Sequence, residues 1–243
     1  MAAVLERWRP DPQQGVFETM LAVEGRAVEL EAHLTRLDAS LAELFPGHAA
    51  PDLGPIDAPA QSGVVRIDVV PGRDSLEARI SFREPGDRFG SVALRSLPIA
   101  GGLGAHKWAD RSLLDEAQAG LPADSLPLIV DTDGAVLEAS RANLFAVRDG
   151  SLFTPSLDGR ILPGITRMRV LELAGEMEIE AHEAELSRDG LLTADEVFLT
   201  GSVRGIERIR YVDGVALSGG DDVTDLLATE LWQAWAGTKT ALR

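Results

Sequence analysis

The sequence predicts a mixed α/β (α+β) protein of two domains. Three features carry this. Residues 1–98 read as a strand–helix–strand–strand–strand series, residues 99–106 (IAGGLGAH) form a glycine-rich connector, and the remainder alternates paired short strands with helices. The expected organisation is a small N-terminal α/β domain at 1–98, a connector at 99–106 and a larger α/β domain at 107–243.

The elements follow in order. Residues 1–14 are polar and contain prolines, as an arm does. GVFETMLAV (Gly15–Val23) reads as a strand, Glu24–Arg26 as a glycine turn and Ala27–Leu30 as a short return strand. From Glu31 to Phe45, Leu34, Leu37, Leu41, Leu44 and Phe45 recur at helical spacing, and Pro46-Gly47 stops the helix. Residues 46–62 are rich in Pro, Gly and Ala and read as loop. Val64–Val70, Ala78–Phe82 and Val92–Leu97 have strand patterning. Arg111–Ala119 reads as a short helix. Leu128–Val130 and Val136–Ala139 flank an Asp-Gly hairpin turn, and Leu144–Val147 pairs in the same way with Leu152–Thr154. Gly164-Ile165-Thr166 opens a helix running to Ala174. Glu196–Thr200 and Ile206–Tyr211 are strands, and Val223–Gly237 is a final helix.

Composition narrows the function. The chain has 243 residues, 45% of them hydrophobic, which is enough for a sizeable core. A net charge of −16 argues against nucleic acid or an anionic membrane as partner, since phosphate contacts need a Lys/Arg field. The N-terminal stretch has charges and prolines where a signal peptide is apolar, so a soluble cytoplasmic protein is expected. The absence of cysteine removes disulfides, thiolate catalysis and thiolate metal sites. Only two of the 23 basic residues are lysines, Lys107 and Lys239, so any chemistry needing an amine has two candidates.

Three motifs fail on their spacing. Gly101–Trp108 lacks the Gly before and the hydroxyl after its lysine that a phosphate-binding P-loop requires. Asp131–Glu138 has its glycine too early for a calcium loop, and a tight hairpin accounts for it. His33, His48, His106 and His182 show no metal-ligand spacing, so no metal is expected.

Four separated segments do converge on one chemistry. His33 and Arg36 share a helix face. Lys107 follows the connector. LEASRANLF (137–145) carries Glu138 near a strand end and Asn143 five residues on. RILPGITR (160–167) runs into a helix whose first N–H groups, with the Thr166 hydroxyl, suit a phosphate monoester. Thr200–Val203 offers further N–H and hydroxyl donors, and Arg36 a countercharge. An acid, a lysine and a phosphate cradle together suggest pyridoxal phosphate (PLP), with the lysine as Schiff-base partner and the acid on the pyridinium nitrogen.

These stretches also resemble a known family. GVFETM (15–20), LEAHLTRLDAS (30–40), Lys107, LEASRANLF (137–145), TPSLDGRILPGITR (154–167) and LTGSVRGIERI (199–209) are similar, in order, to the fold-type IV PLP enzymes, the class IV aminotransferase family. That family includes D-amino-acid and branched-chain aminotransferases and aminodeoxychorismate lyase. The resemblance implies a two-domain fold with the cofactor between the domains and a homodimer as the active unit. It implies Lys107 as the catalytic lysine and Glu138 at the pyridine nitrogen. Arg36 would lie at the phosphate with Gly164, Ile165, Thr166, Gly201, Ser202 and Val203, Leu162 against the ring, and Asn143 supporting the cofactor-facing loop. Phe17, Thr19, Arg111 and Arg141 are the candidate substrate contacts.

Lys107–Arg111 (KWADR) looks most like the K-x-x-N-R pattern of the lyase, with Asp110 for Asn, and GGLGAHKWADR and LTGSVRGIERI resemble the lyase-type C-terminal portion of fused synthase–lyase polypeptides. The resemblance therefore implies 4-amino-4-deoxychorismate lyase activity, giving 4-aminobenzoate and pyruvate for folate synthesis. The alternatives are a transaminase acting on a branched-chain or D-amino acid or an amine, and an inactive cofactor-binding homologue with a regulatory role. Members usually begin with an extra hairpin, whereas here only 14 residues precede Gly15. Taken one at a time, the residues also have plainer readings: Glu138 as a solvated strand-end acid, Arg36 as a surface ion pair beside Glu31 and Asp38, and Lys107 as a snorkelling side chain.

Overall fold

A computed structural model describes residues 8–237, apart from 57, 59–61, 74, 85 and 87–90. Lys239 and the first seven residues of the expected arm lie outside the described residues. The chain divides into two compact units. The smaller comprises Arg9–Asp87 with His106–Ser112, the larger Met1–Trp8, Arg88–Ala105 and Leu113–Arg243.

The smaller unit contains β1 (Val16–Val23), β2 (Arg26–Ala27), α1 (Leu30–Leu44), β3 (Gly63–Pro71) and β4 (Leu76–Arg83). Its sheet has the order β2-β1-β3-β4, antiparallel throughout. Alternate residues of β1 and β3 point at α1. Val16, Met20, Ala22, Val65, Ile67 and Val69 are buried with Leu37, Leu41 and Phe45 in one apolar cluster. Residues 106–112 are strapped across the start of β1. Phe17 N donates to Lys107 O at 2.9 Å, Ala109 N donates to Gly15 O at 3.0 Å, and Val16 bridges Trp108.

The larger unit contains β5 (Val92–Pro98), α2 (Ser112–Ala119, whose first residue belongs to the smaller unit), β6 (Ser125–Val130), β7 (Ala135–Ala139), β8 (Ala142–Arg148), β9 (Ser151–Thr154), α3 (Ile165–Glu176), β10 (Ala181–Glu183), β11 (Leu186–Ser187), α4 (Arg188–Leu192), β12 (Glu196–Gly201), β13 (Gly205–Val212), β14 (Val215–Ala216) and α5 (Asp222–Ala236). The strands pair in the order β8-β12-β13-β5-β6-β7, and β7 pairs with β8 to close a six-stranded barrel. Val92, Leu94, Leu128, Ala139, Leu144, Leu199 and Ile209 draw on all six strands and form one buried cluster, as the inside of a closed sheet does. The other face carries Phe145 stacked on Phe198, and α3 and α5 pack over β12 and β13.

Two placements differ from a single cut near 99–106. The strand at 92–98 joins the barrel between β13 and β6, and residues 106–112 pack with the N-terminal strands. Apolar alternation marks a strand but not its hydrogen-bond partner. β10, β11, α4 and β14 are two to five residues long and too short to show a period in sequence. The connector's glycines have a local reason: Gly102 sits at φ +69°, and a Cβ there would lie 2.2 Å from Arg160 O. Among the described residues, no helix is long and apolar enough to cross a membrane.

Candidate active site

In the larger unit, the β7–β8 hairpin sets Glu138 directly opposite Asn143. Both are buried, with relative exposures of 4% and 3%. Glu138 is therefore not a solvated strand-end acid. Leu162 N donates to its Oε1 at 3.2 Å, and Asn143 Nδ2 donates to its Oε2 at 3.2 Å and to Leu162 O at 2.9 Å. Asn143 thus clamps the 155–164 loop onto the carboxylate. Gly164 is part of the same clamp, since a Cβ there would stand 1.8 Å from Asn143 Oδ1. Arg160 anchors the loop from outside through Asp158 and Asp131.

The loop delivers the N-terminus of α3. Gly164 takes the N-cap position with no side-chain cap, leaving the first-turn N–H groups for another acceptor. Thr166 Oγ1 lies 3.2 Å from Ser202 Oγ of the β12–β13 turn, so hydroxyls from two elements meet at this helix end. Ile165 and Thr166 are the first two helical residues, as the sequence predicts. Gly201 ends β12, and Val203 is half-buried in the same turn. Thr200, paired with Asn143 across β12 and β8, is 2% exposed, and its hydroxyl has no hydrogen-bond partner among the described residues.

In the smaller unit, the Lys107 Nζ lies 4.8 Å from the centroid of the Phe17 ring, whose face also carries the Arg66 guanidinium at 3.8 Å. Asp68 holds Arg66 through Nε at 2.8 Å and Nη2 at 2.6 Å. Thr19 pairs with Arg66 across the sheet. Arg36 is not a surface ion pair: its side chain is 9% exposed and forks onto Glu18, Nε to Oε1 at 2.8 Å and Nη2 to Oε2 at 2.7 Å. His33 Nδ1 reaches the same Oε2 at 2.7 Å. Burial pushes the Glu18 carboxyl up, but hydrogen bonds from His33 and Arg36 and their charge outweigh it and hold it at about 2.

Two expectations gain a different meaning. Asp110, the departure from K-x-x-N-R, accepts from Ser112 N at 3.1 Å and Ser112 Oγ at 2.6 Å, and from Asp11 N at 2.9 Å. Arg141 bonds Glu207 at 3.1 Å, with Arg204 3.7 Å from the same oxygen. Arg111 is half-buried. Glu18 is not among the site residues the sequence singles out, and His33 reads there only as sharing a helix face with Arg36; the alternation of β1 places Glu18 among core positions, which is the signal that could have found it. Among the described residues, no group of three or more acids and histidines could hold a metal ion.

Comparisons with known proteins agree with this geometry. The family model for class IV aminotransferases matches residues 109–212. The branched-chain-amino-acid aminotransferase of Salmonella typhimurium is 44% identical over 93 residues, 38% of this chain and 30% of that protein. The matched stretch thus spans under a third of that relative's length. Among solved structures, a hypothetical aminotransferase from Mycobacterium tuberculosis with α-ketoglutarate and PMP bound superposes with a TM-score of 0.79 at 22% identity, covering 93% of this chain and 90% of that one. A candidate 4-amino-4-deoxychorismate lyase from Legionella pneumophila has the same TM-score and identity and covers 96% of each chain. Residues 109–212 thus match the class IV aminotransferase model, and the mixed α/β fold is one that this chain shares along nearly its whole length with these two solved structures.

Proposed function

We propose that this chain is a PLP-dependent enzyme that transfers the amino group of a small primary amine to an oxo acid. The observation that carries the reading is Glu138, a buried carboxylate clamped by Asn143 and Leu162 in the stretch that matches the family.

The residues fit the cofactor. A buried acid suits a protonated ring nitrogen, and the paired Thr166 and Ser202 hydroxyls at an uncapped helix end suit a phosphate. The orphan Thr200 hydroxyl beside Asn143 is a buried donor that awaits an acceptor. PLP, when bound, supplies an electron sink for the carbon that bears the amine. Glu138 would hold the proton on the ring nitrogen. Arg36, Thr166, Ser202 and the N–H groups of Ile165, Thr166 and Val203 would bind the phosphate, with Gly164 and Gly201 allowing close approach. Leu162 would pack on the ring, and Asn143 would keep the loop and the acid in register. Lys107 Nζ would anchor the cofactor and take the proton from the substrate carbon that bears the amine. Phe17, Thr19, Arg111 and Arg141 remain the candidate substrate contacts, and a homodimer the assembly.

The lyase reading stands second. The similarity to the Legionella protein and the KWADR pattern support it, while the curated relatives named branched-chain-amino-acid aminotransferases support transfer. The test begins with PLP-loaded protein reduced by borohydride and mapped by peptide mass, where the label is expected on Lys107. Amine donors are then supplied with 2-oxoglutarate or pyruvate, and 4-amino-4-deoxychorismate separately. New glutamate or alanine supports transfer. 4-Aminobenzoate without amino transfer selects the lyase. A label on another residue, or none, overturns both.

A further inference from the structure

We infer that Glu18 and His33 are positioning residues that orient the Arg36 guanidinium toward a phosphate ester. The inference rests on the cofactor reading above and deepens its phosphate site.

The argument starts from where Glu18 sits. On β1, Val16, Met20 and Ala22 face α1 and are fully buried, and Glu18 occupies the same alternating register at 1% exposure. A carboxylate in such a row carries a desolvation penalty that a well-packed apolar residue of similar volume would not. A Leu or Met there would continue the core. The charge is therefore poorly explained as a stabilising device and better explained by what it holds.

What it holds is one edge of Arg36. Oε1 takes Nε and Oε2 takes Nη2, which sets both the plane of the guanidinium and its direction. His33, three residues earlier on α1 and 0% exposed, bonds Oε2 at 2.7 Å. That contact fixes the rotation of the carboxylate, so that both oxygens face the arginine. Because Glu18 is ionised, His33 Nδ1 is the donor. The His33 Nε2 is buried with no hydrogen-bond partner among the described residues. The ring thus keeps its Nδ1 contact while its other nitrogen carries an uncompensated desolvation cost. Two unfavourable burials converge on the geometry of one guanidinium.

The test compares PLP with pyridoxal, which lacks the phosphate, by equilibrium titration of the full chain. The proteins are wild type, Glu18→Gln, His33→Leu and His33→Asn, with unfolding temperatures measured alongside. Wild type is expected to favour PLP over pyridoxal. Glu18→Gln and His33→Leu should cut PLP affinity about tenfold or more while moving pyridoxal affinity less than about twofold. His33→Asn, which can present a donor near the Nδ1 position, should restore most of the preference. If the variants lower both affinities equally, or keep the wild-type ratio whatever their stability, the inference is wrong. If Glu18→Gln does not fold, the two His33 variants decide. A wild type that shows no phosphate-dependent preference removes the cofactor reading itself, an outcome distinct from loss of the preference in the variants alone.

Discussion

Gly164→Ala isolates the clamp that seats the candidate cofactor loop. The backbone at this residue, φ −70° and ψ 130°, is open to alanine, so any effect is steric. The added Cβ would fall 1.8 Å from Asn143 Oδ1 and 3.3 Å from Arg167 Cβ. The Asn143 amide cannot swing away freely, because it is buried and its Nδ2 bonds both Leu162 O and Glu138 Oε2. Overpacking of this kind costs about 1–3 kcal/mol, and loss of the buried amide contacts another ~1–3 kcal/mol. For a chain of this size each kcal/mol lowers the melting temperature by about 2–4 °C, so a drop of about 4–24 °C is expected in thermal unfolding followed by circular dichroism. Asn143→Ala removes the clashing atom, so Gly164→Ala should cost much less in that background, and the two changes should be strongly non-additive. A melting temperature within about 2 °C of wild type, or simple additivity in the double variant, would refute the clamp.

The remaining expectations are these. The Glu18 carboxyl, at about 2 when folded against an ordinary value of 4.5, contributes stability above the unfolded value that is lost as pH falls toward 2. The stability advantage of wild type over Glu18→Gln should therefore shrink by about 3 kcal/mol between neutral and strongly acid pH in urea titrations, and parallel curves would contradict it. Thr200→Val should leave the cofactor-free protein as stable or up to about 2 kcal/mol more stable, since a partnerless buried hydroxyl is removed, yet reduce the stabilisation gained on adding PLP. An unchanged PLP response would show that Thr200 does not meet the cofactor. Asp110→Ala should lower stability by about 1 kcal/mol through loss of its hydrogen bonds from Ser112 and Asp11 without altering the ratio of transfer to elimination products. A shift in that ratio would return Asp110 to the chemistry.

Much of the molecule can be read along the chain because the relevant forces are local. The α1 stripe of leucines, the Asp-Gly hairpin and the start of α3 at Ile165 follow from periodicity and turn chemistry acting within a few residues. The Glu138–Asn143 spacing works for the same reason, since one tight hairpin brings them face to face. Other features depend on which distant segments share hydrogen bonds. No local signal tells the strand at 92–98 to enter the barrel, or the Lys107 segment to strap across β1. Nor does Arg36, flanked on its own helix by Glu31 and Asp38, announce that its partner is an acid 18 positions earlier, buried in an apolar row. Residue types and local periods list the available groups; long-range pairing and desolvation determine which of them meet and in what charge state.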